Sequence, residues 1–440
     1  MFTFKLAMPQ LHWGVCVVAV AAGLAMVTGT AQADDATEAQ IRELKATIQA
    51  LSQKVDALQA QQQAPTPVAQ ASKPGPVDSL LSALPVGVKI YGQLDSGVER
   101  VSNVGDDAKT VFRVPTTSGS MYSNLGFDFR SKGNGWLAAI GKAEMGLYLD
   151  TGSSGQGGRL FGRQFYIGVD TPAGSLTFGR QYSMMYGGVS LIAADLLGPN
   201  IYGLGSIDAY IPNARADNAI VYRGSFGPLS LGALYSFGRN TVSGSVPQSG
   251  VCAGESASSS ARCTSWSAMI KYDDTHYGAA FAIDTQKGGS GAVASFFNGT
   301  SAIDTGTAGD EDRRMTLNGY VRFGDLKLGS GWLGRKVDTD AADVKQNVYW
   351  LQAYYSLTPK WMVDGGIFHI LNDLADQHSD MFAGRVTYKI DDQLVTYVTA
   401  GYVDNAGNVG YSVSGGGSGT APALGNNQLG TMVGLRYRFH

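Results

Sequence analysis

From about Val86 to His440 the chain is built of short segments in which apolar and polar residues alternate one by one. Val88, Ile90 and Leu94 share one parity, and Lys89, Gln93 and Asp95 the other. Met315, Leu317, Val321 and Phe323 oppose Arg314, Thr316, Asn318 and Arg322; Phe382, Val386, Tyr388 and Ile390 oppose Arg385, Thr387 and Lys389. At the end, Thr431, Val433, Leu435, Tyr437 and Phe439 oppose Arg436 and Arg438. A period of two gives each strand one apolar and one polar face. The connections alternate as well. Lys132 to Gly135, Thr171 to Gly174 and Asp391 to Gln393 are tight, while Gln181–Arg215, Arg239–Thr264, Gln286–Asp312 and Val403–Gln428 read as long loops. Tight turns on one side and long loops on the other are the habit of a barrel that crosses a membrane. Tyr91, Trp136, Trp361, Tyr402 and Phe439 lie near strand ends, as interfacial girdles require. The pattern therefore predicts an all-β fold, a transmembrane antiparallel β-barrel of about sixteen strands over 86–440.

A different periodicity precedes the barrel. Ile41, Leu44, Ile48, Leu51, Val55 and Leu58 are spaced alternately by three and four, which predicts a short coiled-coil helix within 34–60. Three heptads are marginal alone, so a coil there needs an oligomer held together elsewhere. The other reading is one amphipathic helix packed on the barrel; the narrow, strict seam favours the coil. Residues 61–85 carry Gln61, Gln62 and Gln63 followed by Pro65, Pro67, Pro74, Pro76 and Pro85, the composition of an extended linker. Residues 1–33 read as a signal peptide: Lys5, an apolar stretch from Gly14 to Val27, then Ala31-Gln32-Ala33. Coil and linker are then expected in the periplasm.

Composition sharpens this picture. Mean hydropathy is −0.05, and past the N-terminus no apolar run reaches the length of a membrane helix. Gly is abundant, 59 residues of 440, as many tight turns require. The formal charge of −3 becomes −4 when Lys5 leaves with the signal. That mild acidity argues against a nucleic-acid partner. Cys252 and Cys263 remain after export and are candidates for a disulfide within one loop. His276, His369, His378 and His440 show no metal-ligand spacing, and no nucleophile elbow or phosphate loop occurs, so no metal, cofactor or catalytic residue is expected.

Five stretches, in order, resemble the Gram-negative trimeric general porins of the beta-proteobacterial type. They are Val88 to Val98, Gly158 to Val169 (with Leu160-Phe161-Gly162-Arg163-Gln164), Leu176 to Tyr182, Arg215 to Tyr222 and Val433 to Phe439. The resemblance implies a homotrimeric outer-membrane barrel whose third loop, about Gln181 to Ala214, folds into the lumen. It implies a constriction with Asp195 and Asp208 on the loop facing basic residues on the wall. Arg163 and Arg215 match wall positions, Arg180 lies in the fifth-strand motif beside them, and Asn124 stands where the family carries a third base. The coil and linker lie outside the resemblance, and the chain ends one residue past the aromatic Phe439, at His440.

The lumen parity itself carries Lys89, Lys142, Arg314, Arg322, Arg385, Lys389, Arg436 and Arg438 against Asp95, Asp128 and Glu144. A basic wall raises the local concentration of anions. One residue conflicts with the alternation: Arg163 shares parity with Phe165 and Ile167, which face lipid. A bulge, or a position above the bilayer, reconciles it, because a mid-membrane charge costs roughly 2–4 kcal/mol. The expected function is a weakly anion-selective channel for passive diffusion of small hydrophilic solutes and ions, not an enzyme. The alternatives are a substrate-selective channel of the same fold, and a barrel that anchors a coil in contact with the cell wall.

Overall fold

In the computed structural model the alternating segments are strands. Residues 86–439 are described, apart from 118, 194–199, 244–248, 255–258, 298–301 and 375–376. The predicted signal peptide (1–33), coil (34–60) and linker (61–85) lie outside the described residues, as do Asp195 and His440.

The barrel strands are β1 (Val86–Val104), β2 (Asn124–Ser131), β3 (Ala138–Tyr148), β4 (Gln164–Thr171), β5 (Gly174–Tyr182), β6 (Arg215–Phe226), β7 (Leu229–Ser236) and β8 (Ser265–Asp273). They continue as β9 (Tyr277–Lys287), β10 (Glu311–Phe323), β11 (Leu326–Asp338), β12 (Asp343–Ser356), β13 (Trp361–Asn372), β14 (Gln377–Lys389), β15 (Leu394–Asn405) and β16 (Gln428–Phe439). Each pairs antiparallel with the next. β16 pairs with β1 from Gly92↔Phe439 to Val101↔Gly430, which closes a sixteen-stranded barrel.

At one end the connections are short. Gly227-Pro228 and Gly324-Asp325 join strands by two residues, and each glycine has positive φ (61° and 59°), as such turns demand. At the other end 105–123, 183–214, 237–264, 288–310 and 406–427 are long. Two connections at the long-loop end depart from the expected rule: 339–342 and 373–376 are only four residues each.

The outer face is apolar. Ile167 is 68% and Phe323 65% exposed, in a band with Phe165, Leu317, Val398, Val433 and Leu435. Water would make that band costly; lipid does not. Trp136, Trp361 and Tyr402 lie on this exposed face. Tyr91 does not: its parity is that of Lys89, and its hydroxyl donates to Glu144 Oε2 at 2.6 Å inside the barrel. It is a lumen residue, not a girdle residue.

The lumen is not uniformly polar. Towards the long-loop end, Leu333 and Val337 of β11, Val344, Val348 and Trp350 of β12, and Phe368 and Ile370 of β13 point inward. They pack against loop residues that fold in over them, including Tyr202, Phe296, Phe297 and Tyr411. The Phe297 and Tyr411 rings lie 5.0 Å apart. An apolar core thus occupies part of the barrel interior.

Candidate functional site

The loop between β5 and β6 crosses this lumen. It opens with α1 (Met184–Ala193), laid on the inner faces of β8–β10. The Met184 N–H donates to Ser267 Oγ at 2.9 Å, and Asn318 Nδ2 donates to the Gly188 carbonyl at 3.0 Å. From Asn200 the chain lies against the opposite wall. The Ile201 N–H donates to Gly119 O, and Tyr202 sits over Gly401 and Gly430. A Cβ on Gly401 would meet the Tyr202 Cβ at 2.8 Å, so only glycine leaves this seat. The loop then returns to β10 and β9. Arg314 Nε donates to Asp208 Oδ2 at 2.7 Å, and Tyr210 OH donates to Asp284 Oδ1 at 3.0 Å. Burial pushes the Tyr210 phenol well above its ordinary range, so it remains a donor.

At the root of this loop lies a neck of guanidinium and phenol groups. Arg163 bonds Glu144 through Nε and donates from Nη2 to Tyr182 OH at 2.9 Å. Arg215 also bonds the Tyr182 hydroxyl, lies 4.1 Å above that ring, and donates to Asn213 Oδ1 at 3.1 Å. Tyr186 of α1 stacks on Tyr182 at 4.0 Å. Charge balance differs between the two arginines. Glu144 compensates Arg163, whereas among the described residues no carboxylate pairs with Arg215, which is only 2% exposed.

Register explains how Arg163 reaches the lumen against the alternation. It stands just before β4; Glu144 is paired with Gln164, yet its carbonyl also accepts from the Arg163 N–H at 3.1 Å. Two residues therefore meet one, the local rule of a bulge. A second irregularity holds Arg180. Between Gly179↔Ala219 and Gln181↔Ala216 one residue of β5 faces two of β6, with Asn218 at φ 48°. Arg180 is turned there to Asp217 Oδ1 (2.7 Å) and the Gly162 carbonyl (2.7 Å), and Arg159 grips the same Asp217 through both nitrogens (2.6 and 2.7 Å).

The other sequence candidates fall as follows. Asn124 is buried on the lumen face of β2, paired with Gly146 two residues from Glu144 along β3. Asp208 does not face Arg163 or Arg215 but is fully buried against Arg314, in a network that includes Asp312 and Arg335. Cys252 and Cys263 are joined as a disulfide, with Cα atoms 5.1 Å apart. It packs on Ala292 of the neighbouring loop. Sequence reasoning missed Tyr122, whose ring centre lies 5.9 Å from the Arg163 guanidinium, Tyr182 and Tyr186 at the neck, and the pairing of Glu144 with Arg163. Glu144 shows in the sequence as a lumen-parity acid; its partner appears only with the register.

A family model for Gram-negative porins matches residues 19–408. The chain belongs to the Gram-negative porin family. Its barrel is an outer-membrane barrel. An outer membrane porin protein of Bordetella pertussis is 36% identical over 109 residues, which is 24% of this porin and 28% of that relative. The porin thus spans well under two thirds of that curated relative in the match. Among solved structures, an anion-selective porin from Comamonas acidovorans superposes with a TM-score of 0.64 at 20% identity, covering 80% of this porin and all of that chain. OmpT of Vibrio cholerae in its trimer form gives 0.56 at 17% identity, over 80% and 99%. At such identities these likenesses show the fold, a porin barrel.

Proposed function

We propose that this porin forms a water-filled channel through which small hydrophilic solutes and ions diffuse passively across the outer membrane, with a weak preference for anions. The sign rests on one observation: inward-facing bases of the lumen wall such as Arg322 and Arg438 have no carboxylate partner among the described residues. An uncompensated cation beside a narrow path raises local anion concentration. The Comamonas acidovorans neighbour is named as anion-selective, which favours the same sign here. The working unit is a homotrimer, as the trimer form of the Vibrio cholerae neighbour favours. The coil (34–60) reinforces it from the periplasm through the linker (61–85).

Planar-bilayer recording of the intact protein under a KCl gradient tests this reading. A reversal potential of anion sign is expected; clear cation preference removes the proposed sign, and negligible conductance removes the channel. A second reading, a substrate-selective channel of the same fold, draws on the apolar core that fills part of the lumen. Saturable block by one solute and not by others supports it. Deleting 36–60 should leave single-channel conductance intact and lower the temperature at which the trimer dissociates.

A further inference from the structure

We infer that the ion preference of this channel is set mainly in the short-turn half of the lumen, by Lys89, Arg322 and Arg438, and not at the neck. The inference rests on the channel reading above and asks where its selectivity resides. The bases around the neck and the loop that crosses it are largely spent on carboxylates: Arg163 on Glu144, Arg314 and Arg335 on Asp208 and Asp312, Arg113 on Glu99, Arg159 and Arg180 on Asp217. Arg215, Arg223 and Arg239 are left without a carboxylate; Arg215 and Arg239 are 2% and 5% exposed, Arg223 is half-buried, and all three are held by hydroxyl, amide or carbonyl oxygens. Arg215 and Arg239 do not meet the solution that carries the ions, and both terminal nitrogens of Arg223 are taken by Gln181 and the Tyr182 carbonyl.

Towards the short turns the balance reverses. Lys89 of β1, Arg322 of β10 and Arg438 of β16 point inward by parity and have no carboxylate partner among the described residues. Lys89 and Arg438 are exposed, and Arg322 is half-buried. Arg436 is set apart: it donates to Ser120 Oγ at 3.2 Å and stands across from the buried carboxylate of Asp95, which balances its charge. The lumen-facing strand acids of this half are otherwise paired with bases: Asp128 with Lys142, Asp364 with Arg385, Asp170 with Arg130, and Asp273 with Lys271 at 3.8 Å. Adjacent β16 and β1 carry two of the cations, and Arg322 stands on a distant strand of the same ring. Uncompensated charges on both sides of a water path act as a collar with a net positive field.

The test compares two charge-altering pairs in planar bilayers at 0.1 M KCl. Lys89→Ser with Arg438→Ser should lower the chloride-to-potassium permeability ratio by about threefold. Arg385→Ser with Asp364→Asn removes a compensated pair from the same region and should leave the ratio unchanged. An unaltered ratio in the first variant, or an equal fall in the second, overturns the inference. The shift relative to the unmodified protein decides, so a cation sign in the unmodified protein would defeat the proposed preference while the collar is still judged by its shift. The unmodified protein gives a measurement independent of variant folding. A collar at one end makes the current–voltage curve asymmetric at 0.1 M KCl and symmetric at 1 M, as the screening length falls from about 10 to about 3 Å. A symmetric curve at 0.1 M overturns it as well.

Discussion

Follow the inner face of one strand from loops to turns and its chemistry changes. β13 runs Ile370 and Phe368 at the loop end and Asp364 towards the turns; β14 runs Met381, then Arg385 and Lys389; β16 runs Met432, then Arg436 and Arg438. The loop-side residues are buried beneath infolded loops, and the turn-side residues face water or ion-pair partners. Alternation decides which residues point inward. What they meet there, an apolar loop side chain, a loop carboxylate or a column of water, decides whether they are apolar or charged.

Four changes would break or sharpen this contrast. The largest effect is expected where the crossing loop is tied to the wall. Asp208→Asn removes a charge from a fully buried pair and should cost about 3 kcal/mol locally. Amides 200–214 should then exchange hydrogen faster, and open-channel current should become noisier. An unchanged exchange rate would show that the remaining ties, Tyr202 on its glycine seat and Tyr210 on Asp284, hold the loop without this pair.

Next comes the disulfide of the long loop 237–264. It closes a span of 11 residues, and Cys252→Ser with Cys263→Ser should release about 2–3 kcal/mol of loop restraint. Faster protease nicking within that loop is expected, with trimer stability unaltered. Loss of conductance instead would tie this loop to the barrel rather than to the mouth.

Two smaller effects concern charge. Arg163→Ser leaves Glu144 as an uncompensated carboxylate at the neck, so the reversal potential should move towards cations by about a factor of two in permeability ratio. Asn124→Arg adds a base two residues along the ladder from Glu144 and should move it the other way, by about half as much. No movement in either would mean that the neck is electrically silent, and would push selectivity further towards the collar.

Much of this architecture is legible in the sequence, and the reasons for the rest are physical. Strands, lumen parity and the places of the long loops follow from period-two alternation and turn residues, as in Arg314 to Phe323 and Thr431 to Phe439. The pairing of Glu144 with Arg163 does not, because it depends on which residue of β4 faces which residue of β3 and on one extra residue at the strand entrance. Arg180 and Asp217 meet for a similar reason, across an irregular rung. Tyr91 stands on the lumen parity of Lys89, and parity predicts its position better than its closeness to a strand end. The inner core had a readable signal too: Ile367 to Leu371 and Val344 to Leu351 carry apolar residues on both parities, which a strand between lipid and water does not need.

The crossing loop is fixed at both ends, to β8–β10 through α1 and Asp208 and to the far wall through Tyr202. Mechanically it is a chord across a hoop. A hoop of strands alone ovalises when the surrounding bilayer thins or tightens; a chord bound to opposite walls resists that. The aperture of this channel should therefore be nearly indifferent to bilayer thickness, with the same unit conductance in short-chain and long-chain lipids, until the chord is cut.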